Sequence, residues 1–131
     1  MKVLIFFTLL LAGCTPGIDS YQQTLDAYSE AAFRGDLEAS LTGAALHQAS
    51  QSRAVVGELG WTQVGTSRFE ETQVLDSNKV SSCLDVSEVS FLDSSGMPIS
   101  LERSADRILM EIEFSKSNPP LVASMKEVGQ C

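Results

Sequence analysis

The sequence predicts an α+β fold in which N-terminal helices pack on a curved, cone-like antiparallel sheet of about four strands. Apolar residues recur at helical spacing as far as Leu59, and from Trp61 onward they alternate with polar residues at the period of two that marks strands. Helices followed by strands typically form α+β layers, and a sheet with one face in water shows this alternation. Residues 21–131 are long enough for one domain with its own core, so we predict a single domain there.

The chain opens with an apolar stretch that ends at a cysteine. From Val3 to Leu11 every residue except Thr8 is apolar. This run is shorter than the roughly 20 residues that cross a bilayer as a helix. A basic Lys2, a short apolar run and small residues before Cys14 are typical of a secretory signal, so we predict a signal peptide at residues 1–13.

The segment "LAGC", Leu11 to Cys14, resembles the lipobox of bacterial lipoprotein precursors. The resemblance implies cleavage before Cys14, a diacylglyceryl thioether on its sulfur and an acylated, palmitate-type N-terminus. Two acyl chains are enough for stable anchoring at about 0.8 kcal/mol per buried CH₂. We therefore expect attachment to the extracytoplasmic face of a cell membrane, or to the outer membrane in a Gram-negative host, with residues 14–20 as a tether. The alternative is an ordinary cleaved signal followed by a structural thiol.

The first helix is predicted over residues 20–34, with Ser20 as N-cap and Gly35 as the stop. Its apolar face is formed by Tyr21, Leu25, Tyr28 and Ala32. Asp36 can cap a second helical stretch, which Thr42-Gly43 interrupts and Gly60 ends. The inner face of that stretch is predicted to hold Leu46, Ala49, Val56 and Leu59.

Four strands are predicted after Trp61, separated by turns rich in Asp, Ser, Asn, Gly and Pro. In the second strand the more apolar set is Val80, Ser82, Leu84 and Val86, and the pattern changes near Ser87, where a bulge is predicted. In the third strand the apolar set is Ile108, Met110, Ile112 and Phe114. The segment "LVASMKEVGQC" is predicted as the closing strand.

Charge and cysteine count restrict the partners and the chemistry. The chain has 9 basic and 17 acidic residues, a net charge of −8, which repels phosphate backbones and makes nucleic acid a poor partner. If Cys14 is lipidated, Cys83 and Cys131 remain, and we predict a disulfide between them because an exported protein meets oxidising conditions. The alternatives are two free thiols or a metal pair, although two cysteines and the distant His47 do not make a zinc site. We predict neither a metal nor another cofactor.

The body also resembles a known group. Its order of helices and strands is accompanied by the segments "GDLEA", "LGWTQVG", "SSCLDVS", "LDSSG" and "EVGQC". On these the mature chain is similar to small secreted actinobacterial lipoproteins with a nuclear-transport-factor-2-like cone. The resemblance implies a sheet wrapped on helices. It implies no activity, because such cones serve as isomerases, dehydratases, binding modules and interaction domains alike.

Few residues are candidates for chemistry. His47 is the only histidine, and a lone histidine on a helix is usually solvated or capping. Asp85 shares a strand face with Cys83. It is either a surface residue, which we favour, or a base whose pKa burial raises inside a cone. A possible pocket would combine Asp85 with Tyr21, Tyr28 and Trp61, although aromatic residues at helical spacing more often belong to the core.

The expected function is that of a membrane-anchored extracytoplasmic lipoprotein acting as a non-catalytic binding or interaction module. The alternatives are a pocket enzyme of the isomerase or hydratase type with an Asp base, and a structural protein of the cell envelope. The expected partners are the membrane, through the lipid anchor, and a small molecule or an envelope protein. A deep pocket containing Asp85 or His47 would favour the enzyme, and a cone filled by Phe and Leu side chains would exclude it.

Overall fold

The structure, a computed structural model, describes residues 17–103 and 105–131. The predicted signal peptide and Cys14 lie outside the described residues. The described chain is an α+β protein, as predicted: two helices pack against antiparallel sheets of four and three strands.

The helical region contains three elements: α1 (Ile18–Arg34), a 3-10 turn (Leu37–Ala39) and α2 (Gly43–Glu58). Helix α1 starts at Ile18, two residues before the predicted start, and Gly17 rather than Ser20 is its N-cap. Asp36 does act as a cap, but for the 3-10 turn, where its carboxylate accepts a hydrogen bond from the Glu38 N–H at 3.0 Å.

Helix α2 begins at the break predicted from Thr42-Gly43. Its start is attached to the sheet, since the Thr42 N–H donates to the Val122 carbonyl at 2.8 Å. Exposure increases along the helix: Ala45 is buried, Val56 is half-buried and Leu59 is 50% exposed. The prediction that Leu59 belongs to the inner face is therefore wrong. Leu59 is the C-cap residue of α2, and this end of the helix is largely exposed to solvent.

Among the described residues seven strands follow: β1 (Thr62–Val64), β2 (Arg68–Asp76), β3 (Lys79–Asp85), β4 (Ser90–Leu92), β5 (Pro98–Ile99), β6 (Arg107–Phe114) and β7 (Val122–Gln130). The larger sheet has the order β2-β3-β6-β7 and the smaller one has the order β1-β4-β5. The bulge predicted near Ser87 is replaced by a strand end. β3 ends at Asp85, the chain turns, and the next strand, β4, belongs to the smaller sheet.

The core lies between α1 and the inner face of the larger sheet. It contains Leu25 of α1, Val80 of β3 and Ile112 of β6, each with no exposed surface. Val80 and Ile112 stand directly opposite each other in the β3–β6 pair, so the predicted alternation of both strands is confirmed. Burial of such side chains is the main source of stability, at about 1.5–3 kcal/mol for each.

On the other face of the sheet, Cys83 and Cys131 form a disulfide with their Cα atoms 6.0 Å apart, as the cysteine count predicted. Cys83 is buried in the second strand of the larger sheet, and Cys131 is the last residue of the chain. The bridge therefore holds the end of β7 against the sheet.

Candidate functional site

A cavity of about 650 Å³ lies between the two helices, the inner face of the larger sheet and the β1–β4 edge of the smaller one. This volume falls within the roughly 300–1,000 Å³ of typical small-molecule sites. The described lining residues come from both helices and five strands as well as the segment before β1. The cavity is thus formed only when these elements assemble.

Short side chains on α2 leave the space open. Ala45, Ala49 and Ser52 recur at the spacing of one helical face, and all three line the cavity. Leucine at these positions would extend into the space between α2 and the sheet. Because α2 presents alanine and serine here, the helix stands over the sheet without filling the gap.

The opposite wall is apolar and adaptable. It is formed by Leu84 of β3, Met110 of β6 and Met125 of β7. Methionine is unbranched and its thioether is polarizable, so it packs well against irregular or varied shapes. This wall can therefore pack against apolar ligands of different shapes.

Two aromatic rings form the edge of the cavity. Trp61 precedes β1 and Phe91 lies on β4, and their ring centroids are 5.9 Å apart with the planes inclined at 48°. The pairing of β1 with β4 brings them together, since Gln63 stands opposite Phe91. Trp61 is the only tryptophan of the chain, so its fluorescence reports directly on this site.

One charged side chain, Arg53 of α2, belongs to the described lining. Its Nη1 donates to the Gly35 carbonyl at 2.9 Å and its Nη2 donates to the Ala31 carbonyl. These carbonyls form the C-terminal end of α1, where the helix dipole favours a cation. The Nε of Arg53 is buried and has no acceptor among the described residues.

Tyr28 of α1 lines the cavity as well. Burial raises the pKa of its phenol above the ordinary value of 10.0, and the positive charge of Arg53 offsets part of that rise in pKa. Tyr28 therefore keeps its proton at neutral pH and presents a neutral hydroxyl.

Of the four residues proposed for a pocket, the structure brings Tyr28 and Trp61 together at the cavity. Tyr21 is instead part of the core. It is 2% exposed, its ring lies 4.5 Å from that of Phe114, and its hydroxyl donates to the Ser77 carbonyl at 2.7 Å. Packing and this hydrogen bond hold the Tyr21 side chain against a part of the sheet away from the cavity.

Asp85 does not line the cavity. It shares with Cys83 the sheet face opposite the core, where its carboxylate accepts hydrogen bonds from the Ser87 hydroxyl at 2.6 Å and the Ser87 N–H at 2.9 Å. These bonds, with a smaller effect of Arg68 at 3.8 Å, lower the pKa of Asp85, whereas a base inside a cone needs a raised one. His47 is exposed on α2 and also lies outside the lining.

Arg53 was not identified from the sequence as a site residue. A signal existed, because Arg53 follows Ala49 by four residues and so shares its side of the helix. That signal is weak, since a single arginine on an alanine-rich helix is usually solvated.

In the part of the chain that the structure describes, no cluster of three His, Cys, Asp or Glu side chains could hold a metal ion. None of the described helices combines the length and apolar character needed to cross a membrane. No protein-family model matches the sequence, and neither the curated proteins nor the solved structures contain a match.

Proposed function

We propose that the protein is a lipoprotein of the cell envelope, anchored through Cys14, whose body is a non-catalytic module that binds a small, mostly apolar molecule. The observation that carries the binding role is the cavity of about 650 Å³ between α2 and the larger sheet. The anchor rests on the lipobox-like segment "LAGC". The lipid anchor would hold the module at the extracytoplasmic face of the membrane, where the cavity would bind its ligand.

The position of the acidic candidate supports a binding role over a catalytic one. An isomerase or hydratase of the cone type needs a general base within hydrogen-bond reach of its substrate. Asp85, the residue considered for that task, lies on the other face of the sheet and has a lowered pKa. The cavity offers apolar contacts together with a few donors, which is the composition of a binding site.

The Ala49→Leu variant tests the cavity. The longer side chain occupies the gap under α2, and each CH₂ of a ligand that it displaces is worth about 0.8 kcal/mol. We expect the affinity for 1-decanol, measured by titration of Trp61 fluorescence, to fall by roughly tenfold or more. The thermal midpoint of unfolding should stay constant or rise, because leucine fills empty space.

Ala54→Leu is the matched control, since Ala54 lies on the exposed side of the same helix. It introduces the same residue without entering the cavity, so the affinity for 1-decanol should stay within about twofold of the wild-type value. Equal affinities of the wild-type and Ala49→Leu proteins would place the binding site elsewhere.

The anchor is tested by Cys14→Ser in a bacterial host that lipidates exported proteins. We expect the wild-type protein in the membrane fraction, with the mass of the diacylglyceryl and acyl groups on Cys14. The variant should lack that mass and leave the membrane fraction, because no acyl chains remain to bury. Thr15→Ser, which changes the next residue, is the control and should behave as wild type. A Cys14→Ser protein that stays membrane-bound would refute the anchor.

A further inference from the structure

We infer that the ligand of the cavity is an apolar monocarboxylate and that Arg53 recognises its carboxylate. The inference rests on the proposed binding function and names the ligand class for the same site. It starts from an arginine that lines a mostly apolar cavity and has no carboxylate partner among the described residues.

Arg53 differs from the other arginines whose side chains the structure describes. Arg68, Arg103 and Arg107 each have a carboxylate within 3.8 Å or less. Within residues 17–103 and 105–131, no carboxylate lies within the 4.0 Å ion-pair limit of Arg53. In a protein with a net charge of −8, the arginine at the cavity is thus the one in this group that lacks an acidic partner.

The hydrogen-bond inventory of Arg53 is also incomplete. A guanidinium has five N–H donors, and the Ala31 and Gly35 carbonyls accept from Nη2 and Nη1. Nε is buried with no acceptor among the described residues, which costs free energy. A carboxylate matches the planar guanidinium with two parallel oxygens, so it supplies both the missing acceptor and the missing charge. Because Nε is shielded from solvent, a carboxylate reaches it only if the guanidinium rotates.

The surroundings of Arg53 define the rest of the ligand. Tyr28, whose hydroxyl stays protonated at neutral pH, is a second lining residue that can donate a hydrogen bond. Trp61, Phe91, Met110 and Met125 supply apolar surface in the rest of the lining. An alkyl chain or another apolar body on a single carboxylate fits this combination of a few donors and apolar surface.

The overall charge of the protein disfavours every anion, so a measured preference for a carboxylate points to a local contact. A net charge of −8 repels any anion at long range, more weakly as salt screens it. A carboxylate can therefore be preferred over an alcohol of the same length only through a local contact. Arg53 is the one cationic side chain among the described lining residues, and we assign that contact to it.

The test compares three ligands with one ten-carbon chain: decanoate, 1-decanol and decyltrimethylammonium. Trp61 fluorescence is titrated with each at neutral pH. We expect the wild-type protein to bind decanoate roughly 10- to 100-fold more tightly than 1-decanol, the range for charge-assisted hydrogen bonds. Decyltrimethylammonium should bind more weakly than 1-decanol, because its charge has the same sign as that of Arg53.

Arg53→Gln should reduce the advantage of decanoate over 1-decanol to less than about threefold. Arg53→Lys keeps the charge without the planar pair of donors, so it should retain part of the preference. Because Arg53 also holds the end of α1, its loss could disturb the cavity as a whole. 1-Decanol detects such damage, since a merely structural role would weaken both ligands equally.

The outcomes separate the two proposals. If 1-decanol binds and decanoate binds no better in the wild-type protein, the carboxylate inference is wrong and the binding function stands. An equal loss of both ligands in Arg53→Gln would reduce Arg53 to a structural role and overturn the inference as well. If none of the three ligands binds, the proposed binding function itself fails. The wild-type comparison alone decides the ligand class even where Arg53→Gln does not fold.

Discussion

Removal of the disulfide by Cys83→Ala together with Cys131→Ser is expected to lower the free energy of unfolding by up to about 4 kcal/mol. This is the chain-entropy value for a closed loop with a sequence separation of 48 residues, because the cross-link restricts the unfolded chain far more than the folded one. Alanine is chosen at position 83, which is 2% exposed, so that no hydroxyl is buried without a partner. Urea unfolding followed by circular dichroism measures the change.

Reduction of the wild-type protein is the matched control, since it opens the same loop without changing any residue. Both treatments should also accelerate amide hydrogen exchange near the end of β7, where the Cys131 N–H donates to the Arg107 carbonyl at 3.4 Å. A loss of less than about 1 kcal/mol in both experiments would show that the cross-link contributes little to stability.

Phe114→Ala is expected to lower the free energy of unfolding by about 3–5 kcal/mol, the usual range for a large aromatic side chain removed from a core. Phe114 is 1% exposed at the end of β6, and its ring centroid lies 4.5 Å from that of Tyr21 on α1. The substitution leaves a cavity and also removes an aromatic contact between helix and sheet. Urea unfolding again provides the measurement.

Phe91→Ala is the comparison variant, because it removes the same side chain from the edge of the cavity, where Phe91 is only half-buried. Its unfolding free energy should fall clearly less than that of Phe114→Ala, while its affinity for 1-decanol should fall more. The reverse order of stabilities would contradict the assignment of Phe114 to the core and of Phe91 to the cavity.

The main elements could be predicted because their signals are local. The turn-by-turn recurrence of Tyr21 and Leu25 places both on one face of α1, and the structure buries that face. The alternation in β3 and β6 likewise assigns Val80 and Ile112 to the inner face without knowledge of any partner strand. Helical and strand periods are properties of the backbone, so a few neighbouring residues are enough to reveal them.

The candidate site was predicted only in part. Tyr28 and Trp61 were proposed from their residue types, but Tyr21 was proposed on the same grounds and lies in the core. All three are aromatic and apolar, so periodicity cannot tell which ring packs against the sheet and which borders a cavity. Which ring borders the cavity depends on how α2 packs over the sheet. This packing involves contacts between segments far apart in the chain, such as α2, which begins at Gly43, and β7.

The order of helices before strands, the inner faces of α1, β3 and β6, and the pairing of Cys83 with Cys131 once Cys14 is set aside could be predicted from the amino-acid sequence, because each depends on neighbouring residues or on a count. The separate β1-β4-β5 sheet, the space beneath Ala45 and Ala49, and the placement of Arg53 at the end of α1 emerged only in the folded chain. An alanine has the same helix propensity whether it faces a filled core or a cavity. What lies opposite it is decided by contacts between distant segments, and these arise only when helices and sheets pack together.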